Sequence, residues 1–293
     1  MNRSRAKGIL YVLLSAVIFG FTPVLAGLSY QGGNNGVNMA FLRGVIPLPF
    51  LFVLGRVTAP RFRATKKQIM VALLAGILQF GCSLLLYSSY SYLSVGIATI
   101  LHFLYPLFVI LYHVIADKMR PGRLKWGGLV LGMLGAVVLV DIGPGGLSLL
   151  GMALAILSGV VFAGYMVVLS KEASEPMPLY RLMTLCSLSG SVLSAVCGIG
   201  MGKLTLSLTP EAWGYVVCAT LLVSLGGCTL LQAGVRLAGD TDSSIYSLLE
   251  PLSSLIFGML LLGETLTLKK GISSAMILGG LLLTALADKK KAE

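Results

Sequence analysis

Hydrophobic residues form long runs along the chain, and short polar segments separate one run from the next. Ten windows of about 17 to 25 mostly apolar residues can be placed on the sequence, each long enough to cross roughly 30 Å of hydrocarbon as a helix. The pattern predicts an all-α integral membrane protein with ten transmembrane helices and short connections. The windows begin near Lys7, Asn38, Gln68, Gly96, Lys125, Leu147, Pro178, Glu211, Thr241 and Gly271.

Composition supports this prediction. Hydrophobic residues make up 56% of the 293 residues, charged residues make up 11%, and the mean hydropathy is +0.92. These values lie far outside the range of soluble globular domains. Ten helices of about 20 residues use roughly two thirds of the chain, so we expect no additional soluble domain.

The basic residues are concentrated on one side of the predicted membrane, which accounts for the net charge of +11. With the N-terminus in the cytoplasm, Lys203, Lys269 and Lys270 lie outside and Arg43 lies within a helix. The positive-inside rule then places both termini in the cytoplasm, facing anionic inner-leaflet lipid. No basic patch with interleaved aromatic residues indicates a nucleic-acid partner. The 18 residues on the inner side are Arg3, Arg5, Lys7, Arg56, Arg61, Arg63, Lys66, Lys67, Lys118, Arg120, Arg123, Lys125, Lys171, Arg181, Arg236, Lys289, Lys290 and Lys291.

Two pairs of segments in the chain align with each other. The pairs are GILYVLLSAVIFG (8–20) with GMALAILSGVVFA (151–163), and LHFLYPLFVILYHVIADKM (101–119) with YSLLEPLSSLIFGMLLLGE (246–264). They divide the chain into two halves of five helices, residues 1–145 and residues 146–293. Because five is odd, the second half crosses the membrane in the opposite sense, which predicts two inverted five-helix repeats.

Several of these segments resemble a known family. ILHFLYPLFVILYHVIADKM (100–119), EPLSSLIFGMLLLGETLT (250–267) and the following GISSAMILGGLLLT (271–284) look like the drug/metabolite transporter superfamily, specifically its EamA branch. The resemblance covers essentially the whole chain. It implies a ten-helix transporter with a central cavity between the halves, alternating access and, commonly, export of small metabolites.

Three prolines, Pro23, Pro106 and Pro251, lie within predicted helices. Each removes a backbone donor and disturbs the contact with the carbonyl four residues earlier. Freed backbone groups are tolerated in a membrane only where they face protein or water. We therefore expect three helix breaks that face the interior.

Polar and aromatic side chains recur at spacings of three and four residues on several predicted helices, which places them on single faces. Converging faces of this kind predict a hydrogen-bonding, aromatic cavity for a small-molecule substrate. The competing interpretation is that the same residue types join helices within the bundle. The candidate substrate-binding residues are Gln79, Tyr87, His102, Tyr105, Phe162, Tyr165, Gln232, Tyr246, Glu250 and Arg43.

Glu250 lies inside an apolar run, about eight residues or roughly 12 Å from the start of its predicted helix. Its counterpart in the first repeat is Tyr105, so the carboxylate has no symmetry mate. An acidic side chain at the bilayer centre costs roughly 2.5 to 3.5 kcal/mol before it finds a partner. Three interpretations stay open: a site for proton coupling, a counter-ion for an amino group of the substrate, and a structural partner that caps the helix break.

Arg43 and His102 are the other ionisable residues within predicted helices. Arg43 lies about one and a half turns from the outer end of its helix, so we expect its side chain to snorkel to the interface. The alternative is that Arg43 holds a substrate carboxylate, and Arg43 together with Glu250 would then suit a zwitterionic amino acid. For His102 the alternatives are a proton carrier and a neutral ring that is hydrogen-bonded to backbone.

These observations lead to one expectation with two alternatives. We expect a secondary transporter of the bacterial inner membrane that exports small metabolites, foremost amino acids or amino-acid-like compounds, by alternating access. The first alternative is an efflux carrier for organic cations or drugs, with Glu250 as the counter-ion. The second is an intramembrane enzyme that uses His102 and Glu250 as acid and base, although no nucleophile or HExxH motif accompanies them. No cofactor or metal is expected, because the five cysteines lack metal-binding spacing.

Overall fold

The computed structural model describes residues 3–116, 118, 122–139, 148–172, 176–247, 249–262, 265 and 267–292. Within these ranges every regular element is a helix. The elements are α1 (Arg3–Gln31), α2 (Gly36–Val45), α3 (Leu48–Thr58), α4 (Lys66–Ser89), α5 (Val95–His102), α6 (Tyr105–Ala116), α7 (Arg123–Leu139), α8 (Leu149–Glu172), α9 (Leu179–Gly200), α10 (Pro210–Leu221), a π-helical segment (Leu222–Gly227), α11 (Cys228–Tyr246), α12 (Leu249–Leu262) and α13 (Leu268–Ala292).

Seven helical stretches within the described ranges are long and apolar enough to cross a membrane. The other three windows that the sequence predicts hold α7, α12 and α13. The prediction of an all-helical membrane protein is thereby confirmed for the described ranges, and the number of ten crossings stays a prediction. The seven stretches are Ser4–Gln31, Gly36–Thr58, Lys66–Ser89, Ile97–Ala116, Leu149–Ser170, Leu179–Gly200 and Pro210–Gly239.

Capping side chains begin several helices where a polar segment meets a hydrophobic run. Thr65 and Gln68 form a reciprocal pair at the start of α4, because each side chain accepts a hydrogen bond from the other residue's backbone N–H. The Oδ1 of Asn35 accepts a hydrogen bond from the N–H of Asn38 at 2.9 Å, so Asn35 caps the start of α2. Such contacts satisfy backbone donors that have no partner inside the helix.

Two of the three prolines lie in the first turn of new helices. The fourth predicted span is divided between α5 and α6, and the ninth is divided between the end of α11 and α12. Pro106 is the second residue of α6 and Pro251 is the third residue of α12. In the first turn of a helix the missing N–H removes no hydrogen bond, which makes this a favourable place for proline. The two breaks occupy matching places in the two halves.

The third proline behaves differently. α1 runs through Pro23 without interruption, so the expectation of a break there is wrong. The φ angle that the ring imposes is compatible with an α-helix, and the loss is limited to one hydrogen bond and a local clash with the carbonyl of Phe19. Packing of α1 against α10, α11 and α12 holds the helix together around this defect.

Helix packing follows the internal repeat. In the repeat, α1 corresponds to α8, α4 to α10 with α11, and α5 with α6 to α12. α1 packs on α11 and α12, and its counterpart α8 packs on α4, α5 and α6. α7 packs on its counterpart α13, while α2 and α3 pack on theirs, α9. These contacts map onto each other when each helix is exchanged for its counterpart, as two related halves require.

Glycines allow the closest of these approaches. A Cβ atom on Gly280 of α13 would lie 2.5 Å from the carbonyl oxygen of Gly128 and 2.5 Å from the nitrogen of Gly132, both on α7. In the same interface the Oγ of Ser273 donates to the carbonyl of Gly135 at 2.6 Å. Small residues and polar hydrogen bonds are the means by which membrane helices associate in lipid.

Candidate functional site

A cavity lies between the two halves. The free space among its lining side chains is about 520 Å³, including the part that is continuous with the exterior. The space that the centre of a water-sized sphere can occupy is only about 50 Å³, so the cavity is narrow in this structure. Helices α1, α2, α4, α5, α8 and α12 and the π-helical segment all contribute to it. The lining residues are Phe19, Thr22, Pro23, Arg43, Gln79, Cys82, Ser83, Leu86, Tyr87, Tyr90, His102, Phe162, Val223 and Glu250.

Arg43 is the basic residue of this cavity. Only 7% of its surface is exposed, so the expectation that it snorkels to the interface is wrong. Its guanidinium donates hydrogen bonds to the Oγ of Ser83 and, at 3.3 Å, to the Sγ of Cys228. The same group lies 5.5 Å from the ring centroid of Phe80. Contacts from two neighbouring helices therefore hold the side chain inside the bundle.

The guanidinium of Arg43 keeps unused donors. Arg carries five N–H groups, and the contacts with Ser83, Cys228 and the hydroxyl of Tyr87 occupy at most three of them. Its buried Nε has no hydrogen-bond partner among the described residues. A buried cation with free donors is costly unless an anionic or carbonyl group pairs with it. The arrangement therefore favours a ligand that brings such a group.

A small polar network fixes Arg43 in place. The Oγ of Ser83 donates to the carbonyl of Gln79 at 2.9 Å, which leaves its lone pairs free to accept from Arg43. The Nε2 of Gln79 donates to the Sγ of Cys228 at 2.9 Å. The Oγ of Ser224 donates to the backbone carbonyl of Arg43 at 3.3 Å. The network joins α2 and α4 of the first half to the eighth predicted span of the second half.

Glu250 supplies an acid to the same cavity. It is the second residue of α12, where the positive end of the helix dipole favours a negative side chain. Its backbone N–H donates to the carbonyl of Ser247 at 2.9 Å, so the start of α12 is tied to the residue after α11. The carboxylate lies deep in the molecule, is partly accessible from the cavity, and interacts electrostatically with Arg43. Arg43 hydrogen-bonds Ser83 and Cys228 rather than Glu250.

His102 contributes a third polar group. Its Nδ1 lies 2.9 Å from the Oγ of Ser158, and that Oγ also lies 2.6 Å from the carbonyl of Ala155. The imidazole sits in an aromatic cluster, with ring centroids 5.3 Å from Phe162 and 5.7 Å from Tyr105. The structure thus gives His102 a side-chain partner, where the sequence suggested a backbone partner.

Comparison with known proteins identifies the family. A model of the EamA-like transporter family matches residues 6–141 and, a second time, residues 149–286. The chain belongs to the EamA-like transporter family. The resemblance seen in the sequence is thereby confirmed, and the family assignment makes this chain a multi-pass membrane transporter and not an enzyme.

Relatives of this EamA transporter support the assignment. YicL of Salmonella typhimurium, an uncharacterized inner membrane transporter, is 27% identical over 99% of this chain and 98% of its own length. RhtA of Escherichia coli, a threonine/homoserine exporter, is 29% identical over 71% of this chain and 68% of its own length. A solved crystal structure with 18% identity covers 97% of this chain and 98% of its own, with a TM-score of 0.68. That similarity shows a common fold.

The structure brings most of the predicted site residues of this EamA transporter together. The six that line the cavity are Gln79, Tyr87, His102, Phe162, Glu250 and Arg43. Tyr105 and Tyr165 pack against Phe162 with centroid distances of 4.8 and 5.5 Å and form the layer behind it. Gln232 is fully buried and donates to the hydroxyl of Tyr165 at 3.0 Å. These three residues support the wall of the cavity.

Tyr246 does not join this group. It is 37% exposed and does not line the cavity. The sequence placed Tyr246 on one face with Glu250 by assuming a continuous helix. α11 ends at Tyr246 and α12 begins at Leu249, so the residues on the two sides of the break do not share a helical face.

The cavity also contains residues that the sequence did not assign to the site. The cysteines lack metal-binding spacing and were not among the candidate residues, yet Cys82 lines the cavity and Cys228 accepts hydrogen bonds from Arg43 and Gln79. The available signal was spacing, because Ser224, Cys228 and Gln232 recur every four residues. Thr22 and Tyr90 also line the cavity. Tyr90 continues the spacing of Gln79, Ser83 and Tyr87, whereas Thr22 gave no signal of its own.

Proposed function

We propose that this EamA transporter is a secondary exporter of small metabolites, most of all amino acids or amino-acid-like compounds. The observation that carries the proposal is that Arg43 and Glu250 line one cavity. An amino acid presents a carboxylate and an ammonium group on the same carbon. The planar fork of arginine suits the carboxylate, and a glutamate suits the ammonium group.

The polar network supports this assignment. Arg43 retains a hydrogen-bond donor on Nε, and its present partners, the hydroxyls of Ser83 and Tyr87 and the thiol of Cys228, are neutral groups. A substrate carboxylate would add the charge-assisted hydrogen bonds that these partners do not supply. The threonine/homoserine exporter among the relatives makes an amino-acid cargo the natural one to test first.

The proposal includes a membrane topology. It has ten transmembrane helices, arranged as two inverted five-helix repeats in residues 1–145 and 146–293, with both termini in the cytoplasm of a bacterial inner membrane. The distribution of basic residues and the exchange symmetry of helix packing support it. Alternating access then proceeds by movement of the two halves around the cavity between them. Proton coupling through Glu250 belongs to the same proposal.

A second candidate keeps the fold and changes the cargo to organic cations or drugs. The observation in its favour is that Glu250 and several aromatic rings meet in one cavity, which suits a cation with an apolar body. The buried guanidinium of Arg43 opposes it, because a cationic cargo would enter next to a positive charge.

Transport by purified protein in liposomes tests the proposal. Liposomes loaded with unlabelled L-threonine and diluted into labelled L-threonine should accumulate unchanged label above the level of protein-free liposomes. A labelled organic cation, tested in the same way, should not accumulate. Accumulation of the cation without threonine would replace the proposal by the second candidate.

A further inference from the structure

The hydrogen bonds of Ser158 fix the tautomer of the neutral His102 ring. The hydroxyl of Ser158 has one proton, and it donates to the carbonyl of Ala155 at 2.6 Å. Its contact with His102 Nδ1 at 2.9 Å must therefore use Nδ1 as the donor. In the neutral ring a protonated Nδ1 leaves Nε2 as an acceptor. His102 is thus arranged to accept a hydrogen bond through Nε2.

The backbone holds this arrangement in place. His102 is the last residue of α5, directly before the break that precedes Pro106. A Cβ atom on Gly159 of α8 would lie 2.7 Å from the carbonyl oxygen of His102, so only glycine permits α8 to come this close. That approach brings the neighbouring Ser158, which is fully buried, against the imidazole.

His102 belongs to the wall of the cavity that holds Arg43 and Glu250. His102 is 4% exposed and is one of the lining residues. Within the described ranges its hydrogen bond is the one made through Nδ1 to Ser158. The rings of Phe162 and Tyr105 pack around it and limit the access of water. The cavity therefore combines a guanidinium, a carboxyl group and a neutral acceptor in an aromatic wall.

We propose that His102 determines which amino-acid side chains this transporter accepts. Its Nε2 accepts a hydrogen bond from a hydroxyl on the substrate side chain, so hydroxyl-bearing amino acids are preferred over apolar amino acids of the same shape. This inference rests on the proposed function, in which Arg43 and Glu250 hold the carboxylate and the ammonium group. Ser158 acts as a positioning residue, because it sets the tautomer that makes Nε2 an acceptor.

The size of the preference follows from the burial of the acceptor. An apolar substrate that displaces water from the cavity leaves Nε2 without a partner, whereas a hydroxyl supplies one. Sites built to bind a hydroxyl discriminate strongly against analogues that lack it. We expect wild-type protein to bind threonine at least about fivefold more tightly than valine, which replaces the hydroxyl by a methyl group.

The test uses isosteric pairs on purified protein in liposomes. Binding and counterflow are measured for labelled threonine against valine and for labelled homoserine against norvaline. In His102→Phe the preference should fall to about onefold, because the hydroxyl compound binds more weakly. Valine should still bind, which confirms that the protein is folded. His102→Gln, whose amide oxygen can accept a hydrogen bond, should keep part of the preference.

A matched pair of serine variants tests the role of the tautomer. Ser158→Ala removes the acceptor for Nδ1–H, allows the other tautomer and should lower the threonine-to-valine ratio. Ser15→Ala is the control, because Ser15 is the repeat counterpart of Ser158 and donates instead to the carbonyl of Gly227 at 2.8 Å. It should leave the ratio unchanged.

The outcomes separate this inference from the proposed function. Equal binding of threonine and valine by wild-type protein would overturn the inference and leave an amino-acid exporter. A wild-type preference that is unchanged in both His102→Phe and Ser158→Ala would also overturn it. If wild-type protein moves neither amino acid, the proposed function fails and the inference fails with it.

Discussion

At the scale of single residues, the site is a set of buried polar groups with incomplete pairing. Arg43 has neutral partners, and its Nε is unpaired among the residues that the structure describes; Glu250 lies at a helix start within electrostatic reach of it. A buried polar group without its partner is costly, so such groups persist in a membrane protein where a ligand or an ion completes them. Both side chains therefore belong to the transport cycle in this account.

Glu250→Gln tests proton coupling at the residue scale. A carboxylate that binds and releases a proton in the two access states links flux to the pH gradient, and an amide cannot do so. In proteoliposomes we expect the variant to lose gradient-driven threonine flux while it retains exchange of threonine without a gradient. The control is Gln68→Glu, which exchanges the same two residue types at the exposed start of α4. Gln79→Glu would not serve, because Gln79 donates a hydrogen bond to Cys228. Gradient-driven flux that survives in Glu250→Gln with unchanged pH dependence would exclude Glu250 as the proton site.

The sequence predicted residue types better than side-chain directions. The spacing of polar and aromatic residues correctly predicted that Gln79, Tyr87 and Phe162 line the cavity, because each lies within one unbroken helix. The position of Arg43 near the end of its helix did not predict the direction of its side chain, which depends on Ser83 and Cys228 of other helices. Partners from distant parts of the chain decide where a long side chain goes, and local spacing does not contain them.

At the scale of helices, breaks and close approaches shape the cavity. α5 ends at His102 and α12 begins next to Glu250, so each of the two helix breaks places a polar side chain in the wall of the cavity. Pro106 and Pro251 made these breaks predictable, while the same rule failed at Pro23. The difference lies in packing, because α1 contacts α10, α11 and α12 along its length and a helix supported on several sides tolerates one lost hydrogen bond.

Gly159→Ala tests the approach of α8 to α5. The added methyl group would lie 2.7 Å from the carbonyl oxygen of His102 and must push the helices apart. Overpacking of this kind costs about 1 to 3 kcal/mol, so we expect a lower midpoint of thermal unfolding in detergent and weaker threonine binding. Gly164→Ala on the same helix is the control, because its nearest neighbours lie 3.8 Å away and alanine favours helix. Equal midpoints for the two variants would contradict the close approach.

At the scale of the whole molecule, the repeat relates the two halves but does not make them identical. Packing pairs α7 with α13 and joins α2 and α3 to α9, while Glu250 has only Tyr105 as its counterpart. In the proposed topology the repeat is inverted, which gives a carrier two related conformations, and Glu250 is the proposed site of coupling. The sequence predicted the repeat because hydrophobic runs and prolines are local features, whereas the cavity depends on contacts between the halves.

Reporter fusions test the topology at this scale. The proposed topology has 18 basic residues on one side of the membrane and three on the other, and the positive-inside rule then predicts both termini in the cytoplasm. Green fluorescent protein fused after Glu293 should fluoresce, and alkaline phosphatase at the same place should be inactive. Alkaline phosphatase inserted after Lys203 should be active. The reverse pattern at either place would contradict the inverted arrangement of the halves.

The central claim is that one cavity receives both charges of an amino acid, and competition binding measures it most directly. Labelled L-threonine bound to purified protein is displaced by unlabelled threonine or by 1-amino-2-propanol, which lacks only the carboxylate. Arg43→Ala should weaken threonine binding by roughly 10-fold or more and change the binding of 1-amino-2-propanol by less than about twofold. Equal losses for both compounds would show that Arg43 supports the fold rather than the substrate carboxylate, and would contradict the account.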